Sequence, residues 1–376
     1  MMRTIVRRLA KAVSALAIVA VAAVVLTAVV RNWQTMQRDQ QEVARLTKEM
    51  KTVCVGRFLI DMPQEAQLGP LNLRVDGFDI ESLSESKADF LLRLALREKR
   101  LKAEPRAPGG LDYLESVKEV RTENGLIGKI FVYGRAISKG TQVSWHEVER
   151  YSSLGIIVEA MVHGDGVSFE IGSGNYDPDL IEDMPKLISK LVPNPVNKAP
   201  TSPGFCFDRG CFRDPLTADQ GEQMTVRGQL PSHPDIHFRL SLHAGMKPDE
   251  QGLLDRSAES YSQMPHAHKK RITRIRAAKR PIASLIGDEV VDEFDELNNI
   301  IVHSFWWELM GTESNVLIPR ISLEMDTGNA DNGQVSSSLS RGAAIALWDK
   351  ISSSIRFHHP PPTATTRVVS PARPST

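Results

Sequence analysis

The sequence predicts an α+β protein of two similar modules, each a mainly antiparallel sheet with helices packed on one face, behind an N-terminal transmembrane helix. Three observations predict it. A strand–loop–helix block occurs twice, at Ile318–Phe357 and at Ile156–Val192, as a duplicated domain would give. Four prolines between Pro193 and Pro203 stand between the copies. Ala12–Val30 carries no charge over nineteen residues, long enough to span a bilayer core.

In chain order, Arg3, Arg7, Arg8 and Lys11 precede the apolar run, which favours a cytoplasmic N-terminus 1–11 and an anchor at 12–30. A cleaved signal peptide is the rival, with a shorter apolar core and a small-residue cleavage site that is not evident near Val30. Residues 31–51 repeat Met36, Val43, Leu46 and Met50 at helical spacing and read as a juxtamembrane stalk. A first domain then runs over 52–192. Val53–Ile60 is a strand candidate stopped at Asp61-Met62-Pro63. Ser86-Lys87-Ala88-Asp89 resembles a capping box, opening a helix with Phe90, Leu94 and Leu101 on one face. Leu126-Ile127-Gly128 leads into a strand, as Leu285-Ile286-Gly287 does later. A tryptophan-bearing strand follows in each copy, at Val143–Tyr151 and Ile300–Met310.

Residues 193–204 read as a stiff extended linker, because proline denies them both helix and ladder. The second domain, 205–357, opens on Phe205-Cys206-Phe207. Alternation then marks strands around Met224–Leu230 and Phe238–Leu242, and Leu253–Gln263 is a helix. In the last block Ile321, Leu323 and Met325 alternate with polar residues, Ser338 or Ser340 offers an N-cap, and Ala344, Leu347, Ile351 and Ile355 recur at helical spacing. The Pro/Ser/Thr-rich 358–376 reads as a disordered tail.

Lys+Arg and Asp+Glu are both 46, so no global field argues for nucleic acid or lipid. Catalytic motifs are wanting. Gly172-Ser173-Gly174 lacks the nucleophile-elbow spacing. The residue four after His146 is Arg150, so no zincin pair forms. His266 and His268 adjoin Lys269 and Lys270, whose charge opposes a metal. No cofactor loop is present. Cys54, Cys206 and Cys211 admit one disulfide and one free thiol in an exported chain. Cys206–Cys211 would close a small loop and Cys54–Cys206 would tie two domain-opening strands, and spacing alone does not choose. A metal site is the third option, which the lack of a His pair at zinc spacing beside these cysteines disfavours.

His266–Arg280 holds seven basic residues and no acid, and Asp288–Glu296 six acids and no base. One reading is a solvated hairpin pairing charges across its arms. The other is a positive partner-binding surface around Lys269, Lys270 and Arg271. Trp306 and Trp307 face opposite sides of a strand, so Trp306 is a candidate interface anchor.

Cys54-Val-Gly-Arg-Phe-Leu-Ile-Asp-Met-Pro63, Gly204-Phe-Cys-Phe-Asp208, Ile321-Ser-Leu-Glu-Met-Asp-Thr-Gly328 and Ala346-Leu-Trp-Asp-Lys-Ile-Ser-Ser-Ser-Ile-Arg356 together resemble the immunity proteins of type VI secretion lipase effectors, in the group cognate to the fourth class of those phospholipases. The resemblance runs from Lys51 to Phe357. It implies a two-domain, non-enzymatic protein of the periplasmic side that binds and neutralises a cognate lipase effector. Two modules gripping one enzyme would leave no second site, making the pairing one-to-one. It implies no cofactor, and it favours Cys54–Cys206 as the disulfide. An anchored envelope assembly component, or a hydrolase with a site built from scattered residues, is the alternative. Residues 31–376 are expected in the periplasm, held at the inner membrane by the anchor.

Overall fold

The computed structural model describes residues 26–27, 29–105, 112–144, 147–214, 221–245, 247–296, 298–313, 315–330 and 333–359. The expected anchor at 12–30 therefore lies outside them except at its last residues, as do 360–376 of the expected tail. Among the described residues no helix is long and apolar enough to cross a membrane.

Helix α1 (29–46) is more than a stalk at its end. Leu46 is buried, and Glu42 accepts from His233 Nε2 at 2.9 Å. What reads in the sequence as one strand, Val53–Ile60, is a hairpin of β1 (Met50–Val55) and β2 (Phe58–Pro63). It turns at Gly56, whose φ of 59° suits a residue without Cβ. Then come β3 (Gln67–Val75), β4 (Phe78–Ser84), α2 (Lys87–Ala103), β5 (Leu114–Arg121), β6 (Ile127–Ser144), β7 (Glu147–Gly164), β8 (Val167–Tyr176), α3 (Asp183–Lys190) and β9 (Leu191–Pro193). The second half has β10 (Gly204–Phe207), β11 (Gly210–Arg213), β12 (Glu222–Leu230), β13 (His233–His243), α4 (Leu253–Gln263), α5 (His266–Lys269), β14 (Ile272–Ile282), β15 (Leu285–Asp295), β16 (Ile301–Leu309), β17 (Arg320–Asp326), β18 (Asn329–Ala330), β19 (Gly333–Gln334), α6 (Arg341–Ser352) and β20 (Arg356–Phe357). The expected caps hold: Ser86 Oγ accepts from Asp89 N, and Ser340 Oγ from Ala343 N.

Twelve strands form one antiparallel sheet, in the order β14-β15-β16-β17-β13-β12-β3-β4-β8-β7-β6-β5. Outward from β3, and again outward from β12, the strands of each half follow first-second-sixth-fifth-fourth-third. The block correspondence read from the sequence is one strand out. By sheet order the strand ahead of α6, β17, answers to β8 rather than to the Ile156 segment, because β7 is a single strand of 18 residues. The two Leu-Ile-Gly triplets do correspond, opening β6 and β15. A Cβ on Gly128 would lie 1.9 Å from Met161 O, and one on Gly287 2.6 Å from Glu308 O. Each glycine lets the neighbouring strand approach closely.

Helices cover both faces of the sheet, not one. Met184, Leu187 and Ile188 of α3, and Leu347, Trp348 and Ile351 of α6, enter one large core that spans both halves. On the other face α2 sets Phe90, Leu94 and Leu101 on Phe131, Tyr133 and Met161 as a second, smaller core. The cause is alternation: β16 sends Phe305 and Trp307 to the α6 side and Trp306 to the α4 side.

The halves are also not joined by a free extended linker. β9 pairs with β11, and the residues after it fold into a turn. Asn194 Nδ2 donates to Lys198 O at 2.8 Å, and Arg209 N to Asn197 Oδ1 at 2.6 Å. Asn side chains here supply hydrogen bonds that a count of prolines does not register. Two three-stranded sheets, β1-β2-β20 and β10-β11-β9, send Phe58, Leu191 and Phe212 into the large core and meet at the Gly56–Cys206 bridge.

Beside that bridge Arg57 is 5% and Glu222 3% exposed. Arg57 Nε and Nη2 donate to Glu222 at 3.0 and 2.6 Å, and Nη1 and Nη2 to Asp214 at 2.9 Å. Burial pushes the Glu222 carboxyl up, and Arg57 opposes that shift. Replacing Arg57 by Met removes the ion-pair partner of the buried Glu222 carboxylate and is expected to cost roughly 3–5 kcal/mol, measured by urea unfolding. A change under about 1 kcal/mol would show that the cluster is solvated and structurally idle.

Candidate functional site

The sequence-predicted candidates separate once placed. Lys269 Nζ donates to Ser262 O at 2.9 Å and lies 5.5 Å from the Tyr261 ring centroid. Arg271 Nη1 donates to Asp295 O at 2.9 Å and Glu296 O at 2.7 Å, closing the loop after β15. Lys270 is exposed beside them. Trp306 is half-buried in a cavity under α4, its Nε1 donating to Ser322 Oγ at 2.8 Å. Trp307 is fully buried on the opposite face, donating to Arg280 O at 3.0 Å.

The basic and acidic runs are the two arms of the β14–β15 hairpin and pair across it, Lys279 with Asp288 at 2.6 Å, Arg274 with Asp292 at 2.5 Å, and Arg280 with Glu289. The acidic arm is not solvated, however: Asp288, Glu289 and Asp292 are 7%, 4% and 8% exposed, while the basic arm β14 is largely open, with the Lys279 side chain 68% exposed. Glu289 also accepts from Trp348 Nε1 at 2.7 Å, and Arg276 reaches Asp349 of α6 at 2.6 Å. The buried acids bind the sheet to the helices on it, while Lys270 and Lys279 stay open to solvent.

Two other surfaces are open. On α2 the buried stripe of Phe90, Leu94 and Leu101 is backed by Leu92 and Leu96 on the outer face, 62% and 55% exposed, with Leu91 at 45% on the flank. The helix is apolar on more than the face it buries. Leucines outside the 90–94–101 stripe were the sequence signal for this, overlooked when only the core stripe is counted. Salt bridges hold α2 in place. Arg97 donates to Glu159 at 2.8 and 2.5 Å and to Tyr133 Oη at 2.7 Å, and Lys129 reaches Glu98 at 2.7 Å. Burial would raise the Glu159 carboxyl, but Arg97 and the Tyr133 hydroxyl hold it below its ordinary value.

The second surface is an arm. Residues 136–144 of β6 and 147–155 of β7 pair with each other and, among the described residues, carry no ladder to β5 or β8. Ile137 and Leu154 are cross-strand partners on it, 63% and 48% exposed. A two-stranded ribbon is marginal alone, and an exposed apolar pair on one suits contact with another protein.

The cysteines are joined as the resemblance implied. Cys54 and Cys206 form a disulfide with Cα atoms 6.0 Å apart across 152 residues, and Cys211 is free and buried. Burial pushes the Cys211 thiol up to about 11. Among the described residues, one group has metal-ligand spacing: Cys54, Cys206 and His358.

Exposed apolar surfaces of this kind are ones that protein partners cover. The chain belongs to the Tle cognate immunity protein 4 family, whose N-terminal domain matches residues 51–144 and whose C-terminal domain matches 198–360. Solved structures share the fold. The apo structure of immunity protein TplEi of the T6SS from Pseudomonas aeruginosa superposes with a TM-score of 0.66 at 21% identity, covering 82% of this chain and 97% of that one. The same protein complexed with "L" peptide gives 0.64 at 20%, covering 82% and 98%. The crystal structure of the Tle4–Tli4 complex gives 0.66 at 21%, covering 83% and 98%. No curated protein matches the chain by sequence.

Arg271→Ala is expected to lower stability by about 1 kcal/mol through its two carbonyl contacts, whereas Lys270→Glu leaves it within about 0.5 kcal/mol. Chemical denaturation of both variants checks this. Equal stability for the two would remove the structural role assigned to Arg271.

Proposed function

We propose that this chain binds and neutralises a cognate Tle lipase effector and so protects the cell that makes both. It is an immunity protein and not an enzyme. The observation that carries the reading is the family match over both halves of the chain, and the fold shared with the Tle4–Tli4 complex supports it. Inhibition then needs only a rigid surface that covers the lipase or holds it closed. We read the repeated strand order as two similar modules. Fused through one sheet, they would present the effector with a fixed surface instead of two hinged jaws.

The contact surface we favour is the outer face of α2 with the β6–β7 arm, where Leu91, Leu92 and Leu96 and the cross-strand pair Ile137–Leu154 each group exposed apolar side chains on the body of the fold beyond α1. Exposed Lys270 would sit at the rim of a second contact, and Lys269, Arg271 and Trp306 would act there only through the elements they hold. The full chain should inhibit lipid hydrolysis by the lipase encoded beside it at one-to-one stoichiometry. Leu92→Asp with Leu96→Asp should weaken that inhibition about a hundredfold with the melting temperature unchanged. Inhibition intact in this variant moves the interface elsewhere, and no inhibition by the wild-type chain ends the immunity reading. Cutting the chain between 195 and 204 is a poor test, because each half would expose β3 or β12 as a raw sheet edge.

For location, we propose an inner-membrane anchor at 12–30 with 31–376 in the periplasm. The uncharged run and a disulfide that suits an oxidising compartment support it. In fractionated cells the full-length chain should stay with inner membranes after alkaline extraction. A soluble periplasmic product beginning near Val30 would identify a cleaved signal instead.

A further inference from the structure

The cysteine pair sits in a setting that a crosslink alone does not require. Cys54 lies on β1, Cys206 on β10, and His358 directly after β20. One ligand atom from each falls within 4.8 Å of the other two. His358 is oriented from both ends. Its backbone N donates to Arg57 O at 3.2 Å, and its ring Nε2 stands 2.8 Å from Gly204 O. A carbonyl only accepts, so Nε2 carries the proton and Nδ1 keeps its lone pair. That Nδ1 is buried and has no hydrogen-bond partner among the described residues, and the same is true of Nε2 on the adjoining His359. Buried polar nitrogens without partners are rare because each forfeits its hydration.

We infer that the reduced form of this chain binds one zinc-class ion through the sulfurs of Cys54 and Cys206 and the Nδ1 of His358. An imidazole whose far nitrogen donates to a backbone carbonyl has the tautomer and orientation of a metal-bound histidine. Two thiolates and an imidazole, with no carboxylate in the group, select zinc over calcium or magnesium. A fourth tetrahedral position is left to water.

The site does not depend on the sulfur–sulfur bond for its assembly. Gly56 and Cys206 exchange backbone hydrogen bonds of 2.8 Å in both directions, and β20 pairs with β2 at Phe58–Phe357. These hold the three ligand-bearing strands together after reduction. Zinc–sulfur bonds of about 2.3 Å at tetrahedral angles place two sulfurs roughly 3.8 Å apart, a separation that small side-chain rotations reach from the bonded state. The positive charge of nearby Arg57 is already matched by Glu222 and Asp214, so it does not repel the ion strongly.

The chemistry balances. A dithiol reductant gives two electrons and two protons to the disulfide and becomes a disulfide itself, leaving two thiols. The zinc ion then displaces both thiol protons to solvent. Disulfide and metal are therefore exclusive occupants of one site. The ion would hold β1, β10 and the chain end together wherever the crosslink has not formed.

The test uses the full chain, reduced with a phosphine and titrated with Co2+ as a spectroscopic stand-in for zinc. One Co2+ per chain should bind with thiolate-to-metal charge transfer and tetrahedral ligand-field bands, and Zn2+ should displace it. The oxidised chain should give neither band. Cys54→Ser and Cys206→Ser should each abolish the tetrahedral dithiolate signature, Cys211→Ser should retain it, and His358→Ala should weaken binding at least tenfold. A wild-type measurement guards against variants that fail to fold: Zn2+ should slow reoxidation of Cys54 and Cys206 by oxidised glutathione at least tenfold, read by alkylation. No charge transfer in the reduced chain, a signal that needs Cys211 instead of Cys54, indifference to His358→Ala, or reoxidation unaffected by Zn2+ would each overturn the assignment.

Discussion

The antiparallel pairing of β3 with β12 is the interaction on which the rest of the molecule depends. It joins Val75 to Glu222 at one end and Gln67 to Gln229 at the other, with one register shift where Pro70 can give no hydrogen bond. Each strand would otherwise be the edge of a six-stranded sheet, with a row of unsatisfied backbone groups. Once they pair, the sheet is continuous and the core on one of its faces runs through both halves. The two small sheets, the Arg57 cluster and the disulfide lie across the same junction and reinforce it. Hinge motion between the halves would break all of these at once.

That rigidity suits a protein whose work is contact. A partner that meets a preformed surface incurs less ordering cost than one that must assemble it. The charges fit the same description. The β14–β15 hairpin carries an unusual concentration of basic and acidic residues, yet they face one another and the helices above. Leaving any one of the buried acids unpaired would be costly, so the pairing is part of the fold before it can be part of an interface. The open apolar groups among the described residues include the outer leucines of α2 and the Ile137–Leu154 pair of the arm.

Much of this was legible in the sequence wherever the signal is local. The caps at Ser86 and Ser340, the helix Leu253–Gln263, the alternation of β17 and the opposed tryptophans follow from side-chain periods of 3.6 and 2 and from single capping oxygens. The family, and with it the Cys54–Cys206 pairing, came from motifs spread in order along the chain. The tertiary structure alone decided what depends on partners far apart in sequence. Periodicity says that a strand has two faces but not what covers each, so helices on both faces of the sheet were hidden. A run of prolines marks a boundary but cannot show that Asn194 and Asn197 fold it into a turn. A hairpin at Gly56 looks like one strand until β2 is seen pairing back on β1. A basic run reads as surface until its acids prove to be buried beside it. The fusion of two halves at β3 and β12 leaves no mark on either strand, because an edge strand and a central strand with one buried face have the same alternation, and only the neighbour distinguishes them.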